Sequence, residues 1–190
     1  MDDIVKAALA KWPNVPDCYG WLGLDARGNW YLRDDQAQAA GAFGAASSEP
    51  GRQLASKGSL LKHDKLIDFI QRNYAADAKG QWFFQNGPQR VYVELEATPF
   101  VWRVGSAPDF EVTAHSGEVA IVQRCFIDEH GRVYLETALG FGLVHTLDMV
   151  QVAEAVELGL WVLQEVVARE LPLRFGYVRS PLAAFRALGA

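Results

Sequence analysis

Arginines that lie close to aromatic residues are the groups in this sequence best suited to bind a ligand. An arginine guanidinium forms paired hydrogen bonds with phosphate or carboxylate, and an aromatic ring can stack on a planar base. Together such side chains would suit an anionic, planar, nucleotide-like small molecule. The alternative is that the tryptophans fill a junction between domains and the arginines pair with acids. The candidate ligand-binding residues are Trp30, Arg33, Arg90, Tyr92, Trp102 and Arg103.

One stretch places several of these residues on a common face. Successive side chains of a strand point to opposite sides, so Arg90, Tyr92 and Glu94 would share one face and the aliphatic residues at 91, 93 and 95 the other. We expect the aliphatic set to face a β-barrel interior. The polar set would then face solvent or a neighbouring domain, where a ligand could bind. Glu94 and Glu96 share that polar face, and a solvated position is the usual explanation for such a pair.

Catalytic and metal-binding motifs are weak throughout the sequence. None of the four histidines is spaced from another as metal ligands are, and the two cysteines lack CxxC spacing. No serine lies in a GxSxG motif. His145, three residues before Asp148, is the best acid or base candidate only by elimination. We therefore expect no catalytic residue set, no metal and no cofactor, and a non-enzymatic protein is favoured.

Charge and composition limit the classes of partner and compartment. The 190 residues include 18 Lys and Arg against 23 Asp and Glu, a net charge of −5, which argues against nucleic acid as the main partner. A hydrophobic content of 50% excludes a wholly disordered chain. The acidic N-terminal residues do not resemble a secretory signal, and no stretch approaches the length of a membrane span. With two isolated cysteines, these features predict a cytoplasmic protein.

The first part of the chain alternates helical and extended patterns. Apolar spacing predicts a short helix over residues 2–11, and aromatic-rich runs around Gly28 predict a hairpin. Residues 36–58 are rich in Ala, Gly and Ser, which predicts a mobile loop. A second helix is expected over residues 62–74. These elements would form an N-terminal α+β domain over residues 1–79.

The second part of the chain, residues 80–190, has mostly strand-like patterns. Short runs rich in β-branched and aromatic residues, separated by turn residues, predict seven strands in meander order. An apolar stripe predicts a capping helix over about 148–170, with Asp148 and Gln151 resembling a capping box. The predicted strands occupy residues 82–84, 91–95, 100–104, 110–113, 119–127, 132–137 and 141–145.

Short internal repeats accompany these elements. Residues 28–32 match residues 131–135, and each match begins three residues after an aspartate, Asp25 or Asp128. A duplicated β-turn-β unit would explain the matches. Alternatively, any strand that leaves a tight turn is rich in β-branched and aromatic residues.

The order of these segments resembles proteobacterial families of uncharacterised proteins known only as domains of unknown function. The residues concerned are the hairpin at 25–32, the helix ending near 74, and the segments 80–84, 89–94 and 98–100. The resemblance covers about residues 25–136. It implies a domain duplication, a C-terminal half similar to a pleckstrin-homology barrel, and a small-ligand or nucleotide-like site at the domain interface with a signalling role. The Ala/Gly/Ser-rich segment departs from that pattern.

Taken together, the patterns predict an α+β fold: a small N-terminal helix-plus-hairpin domain, then a mostly antiparallel β-barrel-like domain capped by a helix. The leading functional hypothesis is a small-ligand binding or signalling module with its site at the domain junction. The alternative is a protein-protein interaction or scaffold module, possibly a homodimer, that binds no small ligand.

Overall fold

The computed structural model describes residues 1–44 and 50–189, except for the side chains of residues 50, 52 and 53. Its α-helices are α1 Asp3–Lys11, α2 Asp35–Ala40, α3 Pro50–Lys57, α4 Asp64–Arg72, α5 Met149–Glu157, α6 Leu171–Arg174 and α7 Pro181–Leu188. Its strands are β1 Cys18–Leu24, β2 Trp30–Leu32, β3 Ser59–Leu60, β4 Tyr74–Ala76, β5 Trp82–Asn86, β6 Gln89–Leu95, β7 Phe100–Val104, β8 Val112–Ala114, β9 Val119–Ala120, β10 Val122–Asp128, β11 Val133–Thr137, β12 Gly140–Val144 and β13 Leu163–Val166. Helices combined with two mixed sheets confirm the α+β class.

The chain forms two units. The first contains residues 1–25, 29–96 and 177 onward, and the second contains residues 26–28 and 97–176. The boundary therefore lies near residue 96 rather than between 79 and 80, because β5 and β6 pair within the first sheet. Among the described residues, no helix is long and apolar enough to cross a membrane.

The sheet of the first unit has the strand order β3-β2-β1-β6-β5-β4. Strands β1 and β2 form the predicted hairpin, and Gly28 adopts a φ of 83° in its turn. Strand β6 pairs in parallel with β1 and antiparallel with β5, so it lies inside the sheet. Both of its faces are covered: Tyr92 and Glu94 are buried, and so are Val93 and Leu95. A solvated position was therefore wrong for Tyr92 and Glu94, whereas Arg90 on the same face is exposed.

The segment predicted as a mobile loop contains two helices. Asp34 caps α2 by accepting a hydrogen bond from the Ala37 N–H at 2.8 Å, and the alanines that follow favour a helix. Helix α3 occupies residues 50–57. Residues 36–40 and 50–57 are therefore helical where a loop was predicted, and residues 45–49 lie outside the described part of the chain.

The sheet of the second unit has the order β13-β10-β11-β12-β7-β8-β9. The predicted strand positions are present, but β12 pairs with β7 and β10 with β13 in parallel, so the order is not a simple meander. Only Ile121 separates β9, which pairs with β8, from β10, which pairs with β11 and β13. One extended segment therefore changes partner, and its two strands lie at different positions in the sheet.

The long capping helix predicted over about 148–170 was wrong. Helix α5 ends at Glu157, and Gly159 follows in the left-handed region with a φ of 73°. The chain then forms β13 parallel to β10. Leu160, Leu163 and Val167 fit helical spacing, but the β-branched residues Val162 and Val166 between them are equally compatible with a strand.

The internal repeat corresponds to a recurrent turn. In each turn an aspartate carboxylate accepts the backbone N–H of the fourth residue along, at 2.8 Å for Asp25 and 2.9 Å for Asp77 and Asp128. The side chain of that fourth residue also bonds the same carboxylate. The turn at Asp77 was not recognised in the sequence because its following strand lacks the Tyr-Leu pair of the other two.

Candidate functional site

Arg33 is a buried structural residue in the first unit. Arg33 is only 1% exposed, and its Nε donates a hydrogen bond to the Ser56 carbonyl at 2.9 Å. Its other nitrogens donate to the carbonyls of Gly20 at 3.3 Å, Ala37 at 3.4 Å and Gly41 at 2.6 Å. Burial lowers the pKa of this guanidinium. Arg33 thus fastens α2 and the end of α3 to β1, and this network accounts for most of its hydrogen bonding.

Arg90 and Tyr92 lie elsewhere in the same unit. The Tyr92 ring stacks on Tyr19 with 4.5 Å between centroids, and its hydroxyl donates to the Asp77 carboxylate at 3.1 Å. Burial raises the pKa of Tyr92 to about 12. Arg90 is exposed and covers the Phe83 ring at 4.9 Å. These contacts hold β6 against β5 and the turn at Asp77.

The remaining predicted residues also have structural contacts. Trp30 is buried, with its ring edge-on to Tyr74 in the first unit. Trp102 is buried in the second unit, where its Nε1 donates to the Leu135 carbonyl at 3.1 Å. Arg90 and Tyr92 lie together on β6, and the role of the six predicted residues in ligand binding stays a prediction.

Arg103 forms a bidentate ion pair in the second unit. Its guanidinium binds the buried Asp148 carboxylate with distances of 2.6 and 3.0 Å, and the Val104 N–H donates to the same carboxylate at 3.0 Å. Burial opposes ionisation of Asp148, but these bonds hold its pKa below the ordinary value. The ion pair connects β7 with the start of α5. The Asp148 carboxylate therefore binds Arg103 and does not form the predicted capping box.

A cavity of about 320 Å³ in the first unit offers a better candidate site. It lies where the end of β6, the turn after α2 and the start of α7 meet. Most of the residues that line the cavity belong to segments that were predicted from the sequence to be a loop or a terminal tail. The lining residues are Ala42, Phe43, Glu94, Leu95, Arg179 and Ser180.

Glu94 is the buried acid in the wall of this cavity. The residue is 2% exposed, and its carboxylate accepts hydrogen bonds from the Ser180 hydroxyl at 2.5 Å and the Leu182 N–H at 3.0 Å. Burial raises the pKa of Glu94 even though these bonds and the charge of Arg33 favour the ionised form. Its bonds to Ser180 and Leu182 place the Glu94 carboxylate at the N-terminus of α7, where a negative charge is stabilised.

Two cationic side chains lie at or beside the cavity. Arg179 is exposed, and its guanidinium donates to the Glu96 carbonyl, while its own carbonyl accepts the Leu95 N–H at 2.8 Å. Lys57 forms a largely buried ion pair with Glu96 at 2.8 Å and lies 5.9 Å from the centre of the Phe43 ring. The backbone contacts of Arg179 fix its position at the cavity wall.

Phe43 provides the aromatic part of the wall. Its ring packs against β1 at Gly23, where a β-carbon would lie 2.5 Å from the ring. A glycine is therefore required at that position for the ring to reach the cavity. The cavity thus combines an aromatic surface, a guanidinium and a carboxyl group whose ionisation is disfavoured.

Binding is the chemistry that this arrangement supports most directly. Arg179 can pair with an anionic group, Phe43 can contact an apolar or planar one, and Glu94 can accept or, when protonated, donate a hydrogen bond. Among the described residues, those that line the cavity include no cysteine, histidine or lysine. Across the described residues, no group of three or more His, Cys, Asp and Glu is arranged to hold a metal ion.

Comparison with known proteins gives a family but no activity. A family model described as "Protein of unknown function (DUF2946)" matches residues 1–182. No curated protein matches. A solved DUF1285 family protein from Shewanella baltica OS155 is 14% identical with a TM-score of 0.46, and the alignment covers 70% of this chain and 91% of that chain. Another, from Silicibacter pomeroyi DSS-3, is 13% identical with a TM-score of 0.47 over 81% of this chain and 84% of that chain.

Proposed function

We propose that this chain, which belongs to that family of unknown function, is a non-enzymatic module that binds a small anionic ligand in the cavity beside α7. The observation that carries the proposal is the composition of the cavity wall, which includes Arg179, Phe43 and the buried Glu94. An arginine beside an aromatic ring suits a ligand with an anionic group and a planar or apolar group. A nucleotide-like metabolite has both.

The size of the cavity narrows the ligand class. A volume of about 320 Å³ is at the lower end of the usual range for small-molecule sites. This favours a mononucleotide or a smaller phosphorylated or carboxylated metabolite over a dinucleotide. The proposal keeps the anionic, nucleotide-like ligand predicted from the sequence but places it on residues that the sequence patterns did not indicate.

A signalling role is compatible with the same residues. Glu94 binds the N-terminus of α7, and Arg179 lies two residues before that helix begins. An anion bound by Arg179 would therefore alter the electrostatic environment of the contact between β6 and α7. We propose that ligand binding changes the stability of α7 and that a partner protein recognises this change.

The test is a thermal-shift screen of mononucleotides, sugar phosphates and dicarboxylates, followed by titration calorimetry with any ligand that raises the melting temperature. A ligand at about 100 times its dissociation constant adds roughly 2.7 kcal/mol to the stability of the native state. The informative variant is Arg179→Ala. Its matched control is Arg169→Ala, which removes the same charge from an 84% exposed side chain in the second unit.

We expect Arg179→Ala to weaken binding at least about tenfold and Arg169→Ala to leave it unchanged. Phe43→Leu should weaken a ligand with a planar ring more than inorganic phosphate, because only the former contacts the ring. Wild-type affinity in the Arg179→Ala protein would show that the ligand binds elsewhere.

A further inference from the structure

The second unit contains an apolar groove that is separate from the cavity in the first unit. Its volume is about 470 Å³, and it lies between the segment 119–122, where β9 leads into β10, and the segment that follows α5. All the residues that form it belong to the second unit. The lining residues are Asp109, Phe110, Glu111, Val112, Val119, Ala120, Ile121, Val122, Leu160 and Trp161.

Large aliphatic side chains around this groove are exposed to solvent. Ile121 is 83% exposed, and Val119 and Leu160, which also line the groove, are exposed. Leu158 extends the same run of exposed apolar residues after α5. Single exposed aliphatic residues are ordinary on a protein surface, but a contiguous group around a groove is typical of an interaction site.

The backbone at the groove can also form hydrogen bonds with an incoming chain. Strands β9 and β13 are the two end strands of the seven-stranded sheet in the described chain. Val119 and Ala120 lie in β9, while Leu160 and Trp161 lead toward β13. End strands offer N–H and C=O groups to an added extended segment.

Two acidic side chains line the groove together with the aliphatic ones. Asp109 and Glu111 line the groove and are exposed, and no lysine or arginine is among the described residues that line it. Glu118 and Glu157 adjoin the apolar residues Val119 and Leu158 in the chain and are exposed. A partner that placed basic residues against these carboxylates would be complementary in charge.

This charge pattern disfavours a second copy of the same chain as the occupant. The protein has a net charge of −5, and pairing two such grooves would bring acidic rims together. We propose that the groove binds an amphipathic segment of a partner protein, with aliphatic residues against Ile121 and Leu160 and basic residues against Asp109 and Glu111. This inference does not depend on ligand binding in the first unit.

The test uses the full chain and a synthetic amphipathic peptide of leucine and lysine, with the same peptide carrying glutamate for lysine as the comparison. Binding is measured by fluorescence anisotropy at an ionic strength of about 0.15 M, where long-range attraction is screened. The first variant is Ile121→Lys. Its control is Leu173→Lys, which adds the same charge to a 91% exposed side chain outside the groove.

We expect the leucine-lysine peptide to bind, the leucine-glutamate peptide not to bind, and Ile121→Lys to weaken binding at least about tenfold while Leu173→Lys does not. If Ile121→Lys alters the circular dichroism spectrum, Leu160→Lys replaces it, because Leu160 also lines the groove and is exposed. Equal affinity for the two peptides, or equal affinity of the groove and control variants, would overturn the proposal.

A second pair of variants separates the groove from general electrostatic attraction. Asp109→Asn with Glu111→Gln removes two charges at the groove, and Asp64→Asn with Asp68→Asn removes two exposed charges from the first unit. Only the groove pair should weaken the leucine-lysine peptide by more than about tenfold. A dimer detected by analytical ultracentrifugation that Ile121→Lys dissociates would instead identify a second copy as the occupant and refute the peptide proposal.

Discussion

The contact between Glu94 and α7 gives the most informative stability prediction. Glu94→Ala removes the acceptor of the Ser180 hydroxyl and the Leu182 N–H, which are bonded at 2.5 and 3.0 Å. A hydrogen bond to a charged group contributes about 1.5–3 kcal/mol, and an unpaired buried donor costs about 1–3 kcal/mol. Since these contributions overlap, we expect Glu94→Ala to lower the free energy of unfolding by about 3 kcal/mol.

Glu94→Gln should behave differently because it preserves the shape while removing the charge. The amide oxygen can accept the Leu182 N–H, and the Ser180 hydroxyl can accept a bond from the amide nitrogen. Burial raises the pKa of Glu94 in the folded protein above the ordinary value of 4.5. The stability that comes from the neutral acid is therefore complete below pH 4.5 and is lost as the pH rises through the pKa of the folded state. At pH 7 we therefore expect Glu94→Gln to be within about 1 kcal/mol of wild type, or more stable.

Urea unfolding at pH 7 measures both variants, and amide hydrogen exchange measures the protection of α7. Exchange in α7 should accelerate in Glu94→Ala and change little in Glu94→Gln. Glu136→Ala is the control, because Glu136 pairs with a half-exposed Arg124 and such pairs contribute about 0–1 kcal/mol. The reasoning is refuted if Glu94→Ala unfolds within about 0.5 kcal/mol of wild type, or if Glu94→Gln is as unstable as Glu94→Ala.

Two further predictions concern buried basic groups. Arg33→Lys should lower the free energy of unfolding, measured by urea titration, by about 2–4 kcal/mol, because an ammonium group cannot donate to all four carbonyls that Arg33 binds. A loss below about 0.5 kcal/mol would contradict this structural role. Burial lowers the pKa of His115 from 6.5 to about 4, so the stability associated with its neutral form is complete above pH 6.5 and is lost as pH falls toward 4. The loss should be at most about 3 kcal/mol and should be absent in His115→Gln; identical pH profiles of urea unfolding would contradict it.

Strand positions were predictable because they depend on local pattern. The runs around 91–95, 100–104 and 133–137 contain β-branched and aromatic residues between turn residues, and each forms a strand. Their partners were not predictable in the same way. The parallel pairing of β6 with β1 joins Val91 to Cys18, and no local feature of either residue specifies that contact.

Burial on both faces explains the wrong orientation predicted for β6. Alternation of polar and apolar residues indicates two faces but does not show that both are covered. Glu94 is buried because α7 returns to cover it, with Ser180 and Leu182 as its partners. The Ser-Pro pair at 180–181 is typical of a helix start and was the available signal for α7.

The candidate site could not be assembled from the sequence because its residues are far apart in the chain. Phe43 lies in a segment whose composition suggested a loop, and Arg179 follows the last predicted helix. By contrast, the predicted arginine and aromatic residues mostly contact the protein itself, as Arg33 and Tyr92 do. Residue types indicated suitable chemistry, whereas only the fold shows which groups are already bonded.

The most direct test of ligand binding is an NMR titration of the isotopically labelled full chain with adenosine monophosphate and, separately, inorganic phosphate. We expect saturable shifts of the backbone amides at residues 42–43, 94–96 and 179–182, with a higher affinity for the nucleotide, and their loss in Arg179→Ala. Shifts confined to other residues, or the same shifts in Arg179→Ala, would contradict it. An absence of saturable shifts with both compounds would contradict the nucleotide-like ligand class.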